Sequence, residues 1–334
     1  MRSVTRLKKP IYILSYAAVG GYEEKRGPLG KYFDITDDRD LFGMSTWERA
    51  EGEMSRLSLG TALKKAGISH EDLSVIASGD LQNQCVASSG GLISFGAPYF
   101  GLYGACSTST ESLIIAASYL SLTDGALYGA AVTSSHNSAA ERQFRTPLEY
   151  GGQRAPTAQW TATASGAFVL SKKKSKVKIT SFMPGKIVDG YTKDAANMGA
   201  AMALAASDSI LTFFTEEDPE GFDLILTGDL GRVGSDILHE IVREESSMHI
   251  KINSLHSDAG LMLYDMENQD VHSGGSGCGC SASVLASYIL PRVAEGRIKR
   301  MALLSTGALM SPSSILQGEH ISGIAPLIVI EHEE

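Results

Sequence analysis

The chain has 334 residues, with 38 acidic side chains against 29 basic ones and a formal net charge of −9. Apolar residues make up 43% and charged residues 20%, enough to build a packed core, which excludes a disordered or fibrous chain. The acidic balance argues against nucleic-acid binding through overall positive charge, and four cysteines in this length make no disulfide framework.

Length alone predicts two domains or one large two-part fold. Residues 11–19, an apolar run with two tyrosines behind Arg2, Arg6, Lys8 and Lys9, read as a first strand and not as a signal peptide. No apolar stretch approaches the roughly 20 residues of a membrane-crossing helix. The protein is therefore expected in a reducing cytoplasm with free thiols, and any membrane association is expected to be peripheral. Trp47, Ala50, Met54, Leu57, Leu63 and Ala66 follow helical spacing, with Gly67 as the stop. Ser69 and Asp72 then stand at capping-box spacing.

A weak internal repeat organises the rest. Residues 72–81 and 223–230 are short apolar runs ending in Gly-Asp-Leu, the pattern of a buried strand entering a loop. Gly104-Ala105-Cys106-Ser107 opens a small-residue helix to about residue 122, and Gly277-Cys278-Gly279-Cys280-Ser281 opens another to about residue 293. Gly125 and Gly296 are expected to close them. Strands over 126–135 and 301–306 follow, and each half ends on one more strand, near 167–171 and 327–331. Residues 1–175 and 176–334 are thus expected to be two copies of one αβ unit. Between them lie five lysines within residues 172–178, read either as a solvated hairpin or as a patch for anionic lipid.

Cys106 is the first residue with chemistry. Small residues let a strand turn sharply into a helix there, and unpaired N–H groups at a helix start favour a thiolate, which predicts a lowered pKa. The alternative is a buried structural cysteine. Cys278 and Cys280, one residue apart, lack zinc-site spacing, and the glycine run 274–279 lacks the ending of a phosphate loop. His256 and Asp258 read as loop residues able to reach a central cavity.

Gly-Ala-Cys-Ser at a strand-to-helix elbow, with residues 62–73 upstream, resembles the thiolase and ketoacyl-synthase superfamily. Residues 102–109, 133–137, 140–145, 226–230 and 274–278 together resemble the stage V sporulation protein AD family, over residue 10 to the C-terminus. The resemblance implies an α/β, five-layered αβαβα thiolase-like fold of two similar halves, each with a five-stranded mixed sheet. It also implies binding of dipicolinic acid (pyridine-2,6-dicarboxylic acid), alone or with calcium, and support of its uptake into the developing spore. Implied with these are a homodimer, partners from the same sporulation operon including membrane proteins, and peripheral association with the spore inner membrane.

Carried over residue by residue, the superfamily's nucleophile falls on Cys106, but its histidine falls on Gly228 and its asparagine on Gly231. His272 is a candidate substitute, and the thiolase C-terminal cysteine has no counterpart in residues 305–308. A non-catalytic protein without cofactor or metal is the expectation. The alternative is an acyl-thioester condensing enzyme or thiolase-like acyltransferase using Cys106. For an aromatic dicarboxylate the candidate contacts are Cys106, Ser107, His136, Asn137, Asp229, His256, His272 and Cys278. Arg142 and Arg145 are read as ligand donors or as a surface turn, and Asp80 and Asp229 also as loop-fixing caps.

Overall fold

The computed structural model describes residues 3–145, 153–245 and 250–334. Each half of the chain builds a five-stranded mixed sheet. In the first half, β1 (Thr5–Gly20), β2 (Leu73–Gly79), β3 (Tyr99–Gly101), β4 (Tyr128–Ser135) and β5 (Ala164–Ser171) stand in the order β3-β2-β4-β5-β1. The second half contributes β6 (Val177–Met183), β7 (Leu224–Thr227), β8 (His256–Asp258), β9 (Arg300–Leu304) and β10 (Leu327–His332), in the order β8-β7-β9-β10-β6.

Counted within each half, the two orders are the same. Directions match too: β2 runs parallel to β3 and β4 as β7 does to β8 and β9, while β5 and β10 are antiparallel to both neighbours. The Gly-Asp-Leu repeat therefore marks equivalent strand ends. One long strand ties the halves together. β1 pairs with β5 through residues 12–20 and with β6 on both sides of a register break between Arg6 and Ile11, so the two sheets are continuous through it.

Both sheet faces are apolar, so side chains alternate between two cores. On β9 and β10, Met301, Leu303, Ile328 and Ile330 face a central core, and Ala302, Leu304, Leu327 and Val329 an outer one. On β5, Phe168 and Leu170 join the central core while Ala167 and Val169 face the opposite side. The central layer holds α2 (Thr108–Leu122), through Leu113, Ala116, Ala117 and Leu120, and α5 (Cys278–Val284), through Ala282 and Val284. Outside the first sheet lies α1 (Trp47–Ala66), with Leu59, Ala62 and Leu63 buried. Outside the second lie α3 (Met198–Phe213) and α4 (Gly231–Glu245). Helix, sheet, helix, sheet, helix is the five-layered αβαβα arrangement.

Several local expectations shift. Thr46 caps α1 by accepting the Arg49 N–H, and Gly67 ends it in the left-handed region, but Trp47 and Leu57 are only half-buried. α2 stops at Leu122 with Thr123 as its extended cap, so Gly125 lies beyond the helix and does not close it. The helix begun by α5 continues through a π turn, Leu285–Ile289, into Leu290–Ala294. Pro291 has no N–H to offer the carbonyl four residues back, which breaks the α ladder there. The lysine run forms the connection between β5 and β6, and its charge is largely engaged. Lys174 and Lys178 pair with Glu333 at 2.8 and 2.7 Å, Lys172 donates to the Thr123 carbonyl, and Lys173 meets the Tyr128 hydroxyl.

Candidate functional site

The elbow before α2 is built by close backbone approach. A Cβ on Gly79 would sit 2.0 Å from the Leu102 carbonyl oxygen, and one on Gly104 2.3 Å from the Glu111 carboxylate. The turn Ala105–Ser107 then carries Cys106 into α2, and Ala105 takes a φ of 53°, a conformation few residues with a side chain adopt. Ser107, expected as a ligand contact, is committed to the turn: its hydroxyl lies 2.6 Å from the Gly104 carbonyl and 2.7 Å from Glu111 Oε1.

Asp229 organises the site. Its Oδ2 accepts from the Gly277 N–H at 2.9 Å and from Ser276 Oγ at 3.2 Å, and its Oδ1 accepts from Thr306 Oγ1 at 2.7 Å. Ser276 Oγ in turn lies 3.7 Å from Cys106 Sγ. One buried carboxylate thus fixes three segments around the cysteine, and burial raises its pKa to about 6. The effect on Cys106 reverses the sequence expectation. Burial first, and then the Asp229 carboxylate, push the thiol well above its ordinary value, so the helix start does not yield a thiolate.

Gly228 and Gly231, onto which the resemblance carries a histidine and an asparagine, are both closely packed. A Cβ on Gly228 would lie 3.0 Å from Ser305 Cα and 3.2 Å from the Thr306 nitrogen, which leaves no space for an imidazole. Gly231 has a φ of 62° and its Cβ would be 2.3 Å from the Ser273 carbonyl oxygen.

In front of Cys106 opens a cavity of about 340 Å³. Its floor is Cys106, Ser276 and Thr161, and its walls are apolar, with Leu81, Phe144, Met198, Leu309, Met310 and Ile315. The helix Asn137–Arg145 supplies Phe144, and Ala140 from the same helix packs with Leu81, Cys106 and Cys278.

Four of the expected ligand contacts stand elsewhere. His136 is buried with Nε2 on the Asp40 carbonyl at 2.8 Å, and burial lowers its pKa. Asn137 starts the following helix and donates its N–H to Thr163 Oγ1. His256 is on edge strand β8, not a loop, with Nε2 2.7 Å from Thr227 Oγ1 and Nδ1 2.8 Å from His239 Nε2. Asp258 shares that strand and accepts from Thr227 Oγ1 and the N–H groups of Leu230 and Gly231. Burial raises Asp258 to about 7. His272 takes a φ of 52°, with Nδ1 on the Ala155 carbonyl and Nε2 on Asp270.

Cys278 lies behind Cys106 with its Sγ 2.9 Å from the Ser134 carbonyl oxygen, a buried packing role. Arg142 pairs with Glu48 and stacks on Trp47, a surface arrangement, while the side chain of Arg145 lies outside the described residues. Asp80 accepts from the N–H groups of Gln82 and Ser88 and fixes its own loop. Among the described residues no cluster of His, Cys, Asp and Glu suits a metal, and no helix is long and apolar enough to cross a membrane. Sequence reasoning missed Thr161, Phe144, Thr306 and the apolar wall 309–316. Thr306 and the wall 309–316 follow the hydroxyl-rich end of β9, whereas nothing in the sequence marks Phe144 or Thr161.

Comparisons with known proteins agree with this architecture. The OleA protein of Xanthomonas campestris superposes with a TM-score of 0.60 at 14% identity, covering 98% of this chain and 100% of that one. The 3-oxoacyl-[acyl-carrier-protein] synthase III of Aquifex aeolicus gives a TM-score of 0.55 at 13% identity, over 95% and 99% of the two chains. At such identity the likeness establishes a thiolase-like fold alone. The stage V sporulation protein AD of Bacillus subtilis is 41% identical over 326 residues, 96% of this chain and 94% of that protein. The family model for stage V sporulation protein AD matches residues 2–331, and the chain belongs to that family.

Proposed function

We propose that this sporulation protein is a non-catalytic binder of dipicolinic acid, which it takes into the cavity before Cys106 and so supports uptake into the developing spore. The observation that carries the reading is a cavity of about 340 Å³ ending on a cysteine whose thiol is held protonated and whose base position is closed by Gly228. A flat pyridine ring suits the apolar walls of Leu81, Phe144 and Met310, and hydroxyls on Ser276 and Thr161 suit a carboxyl group at the floor. Turnover is disfavoured, because a thiol without general base or thiolate loses a factor of about 10²–10⁴ for the missing proton transfer alone.

The test is calorimetric titration with dipicolinate beside an acyl-CoA control. Cys106→Ala is expected to keep most of the affinity and Cys106→Trp to abolish it while thermal unfolding stays cooperative. Unchanged binding in the Trp variant places the ligand elsewhere. Acyl transfer to Cys106, followed by release to a nucleophile, would favour the condensing-enzyme reading instead.

The partner reading rests on β3. Among the described residues this edge strand bonds to β2 on one side only, and Tyr99, Phe100 and Gly101 are all exposed, which suits antiparallel pairing with the same strand of a second copy. Light scattering is expected to give twice the 35.5 kDa chain mass, and a clean monomer at micromolar concentration would refute the pairing. Peripheral association with the spore inner membrane, through operon partners, completes the proposal.

A further inference from the structure

A second cluster stands at the seam of the two halves, away from the Cys106 cavity. The short turn Gly30–Tyr32 lies against the π turn Leu285–Ile289, so that the Tyr32 and Tyr288 rings meet edge to face at 5.3 Å. Arg292 lies flat on Tyr288, its guanidinium carbon 3.2 Å from the ring centroid, and 5.8 Å from that of Tyr32. Lys31 Nζ stands 5.1 Å from the Tyr32 centroid. Tyr32 is 39% exposed, and among the described residues neither cation has a carboxylate partner within ion-pair distance. Two positive groups therefore converge on one accessible phenol with their charge uncompensated. Their influence is visible on that phenol, whose pKa Arg292 and then Lys31 draw below the ordinary value.

We propose that Lys31, Tyr32 and Arg292 form a binding site for a phosphate group. Three kinds of donor, a planar guanidinium, an ammonium and a hydroxyl, suit the several oxygens of a tetrahedral anion better than the two of one carboxylate. Stacking on Tyr288, together with an Nη1 bond to the Tyr288 carbonyl at 2.7 Å, fixes the guanidinium plane and leaves Nη2 to donate. The π turn, forced by Pro291, sets the spacing of Tyr288 and Arg292, and such turns recur at functional sites. The phosphate belongs either to a soluble ester or to a phospholipid headgroup.

The full-length protein is titrated with glycerol phosphate at constant ionic strength, and separately sedimented with phosphatidylcholine vesicles with and without phosphatidylglycerol. Lys31→Gln is expected to weaken binding about fivefold, the effect of one cation near an anionic surface, and Arg292→Gln at least as much. Tyr32→Phe weakens it with the ring retained, and Lys193→Gln, at an exposed lysine beside Gly318, does not change it. Binding of glycerol phosphate that Lys31→Gln weakens supports the site as one for a soluble ester. Binding only to phosphatidylglycerol vesicles, weakened in the same way, supports it as one for a headgroup. Binding to neither probe, or binding that Lys31→Gln and Tyr32→Phe both leave unchanged, overturns the proposal.

Discussion

Asp229 adds to burial in holding the Cys106 thiol protonated. Its carboxylate, bonded to Ser276, Gly277 and Thr306, keeps negative charge beside a buried thiol. Asp229→Asn keeps an acceptor for Ser276 and Gly277, turns its NH2 toward the Thr306 hydroxyl, which can accept, and removes the charge. The Cys106 pKa then falls, and alkylation below that pKa quickens by about tenfold for each unit. Rates measured against pH, with the modified peptide identified by mass spectrometry, check this, and an unchanged profile would mean that burial alone holds the thiol protonated. His136 gives a contrasting case. Its ring bonds the Asp40 carbonyl and does not line the cavity, so His136→Ala is expected to cost about 1–3 kcal/mol of stability and leave dipicolinate affinity unchanged.

At the level of elements, the site depends on how closely α5 can approach β5. A Cβ on Gly279 would lie 2.1 Å from the Ala164 carbonyl oxygen, backbone that cannot step aside. Gly279→Ala is expected to destabilise by about 1–3 kcal/mol in denaturant unfolding and to loosen the Gly277 turn that Asp229 holds. Strands were the most legible elements. Runs such as Leu224–Thr227 and Leu327–His332 are buried on both faces and read directly as short apolar segments. The small-residue helix after Cys106 was equally plain, down to its last residue near 122. His256–Asp258 was not legible as a strand, because three polar residues at a sheet edge carry no apolar pattern. Of the cavity's lining, only Cys106 was legible as a site residue. Cys106, Asp229 and the glycines at 228 and 231 stand at strand ends, where the repeat points, whereas Phe144, Met310 and Ile315 come from distant segments that meet only in three dimensions.

Across the whole molecule the duplicated fold buries carboxyl groups that lack a cation. Glu24 is fully buried, accepts from the Thr163 N–H and the Tyr264 hydroxyl, and is raised to about 7 by burial. A carboxyl raised in the folded state stabilises below its unfolded pKa, and that contribution is lost as pH climbs through about 7. His256, lowered by burial to about 3, works the other way: its neutral folded form is penalised as pH falls below the unfolded value near 6.5. Glu24→Gln isolates the first term. Its stability relative to the parent is expected to rise between pH 5 and pH 8 by up to about 3 kcal/mol. Melting curves across that range check the sign, and a difference independent of pH would mean that Glu24 is not held protonated.

The central claim, a ligand seated against Cys106 without turnover, meets its most direct test in protection of that thiol. A small thiol-modifying reagent is applied at alkaline pH with and without saturating dipicolinate, and each cysteine is followed by peptide mass spectrometry. Modification of Cys106 is expected to slow in proportion to the fraction of protein bound, with Cys85, which does not line the cavity, unaffected. Dipicolinate that binds by calorimetry yet leaves the Cys106 rate unchanged would contradict the account.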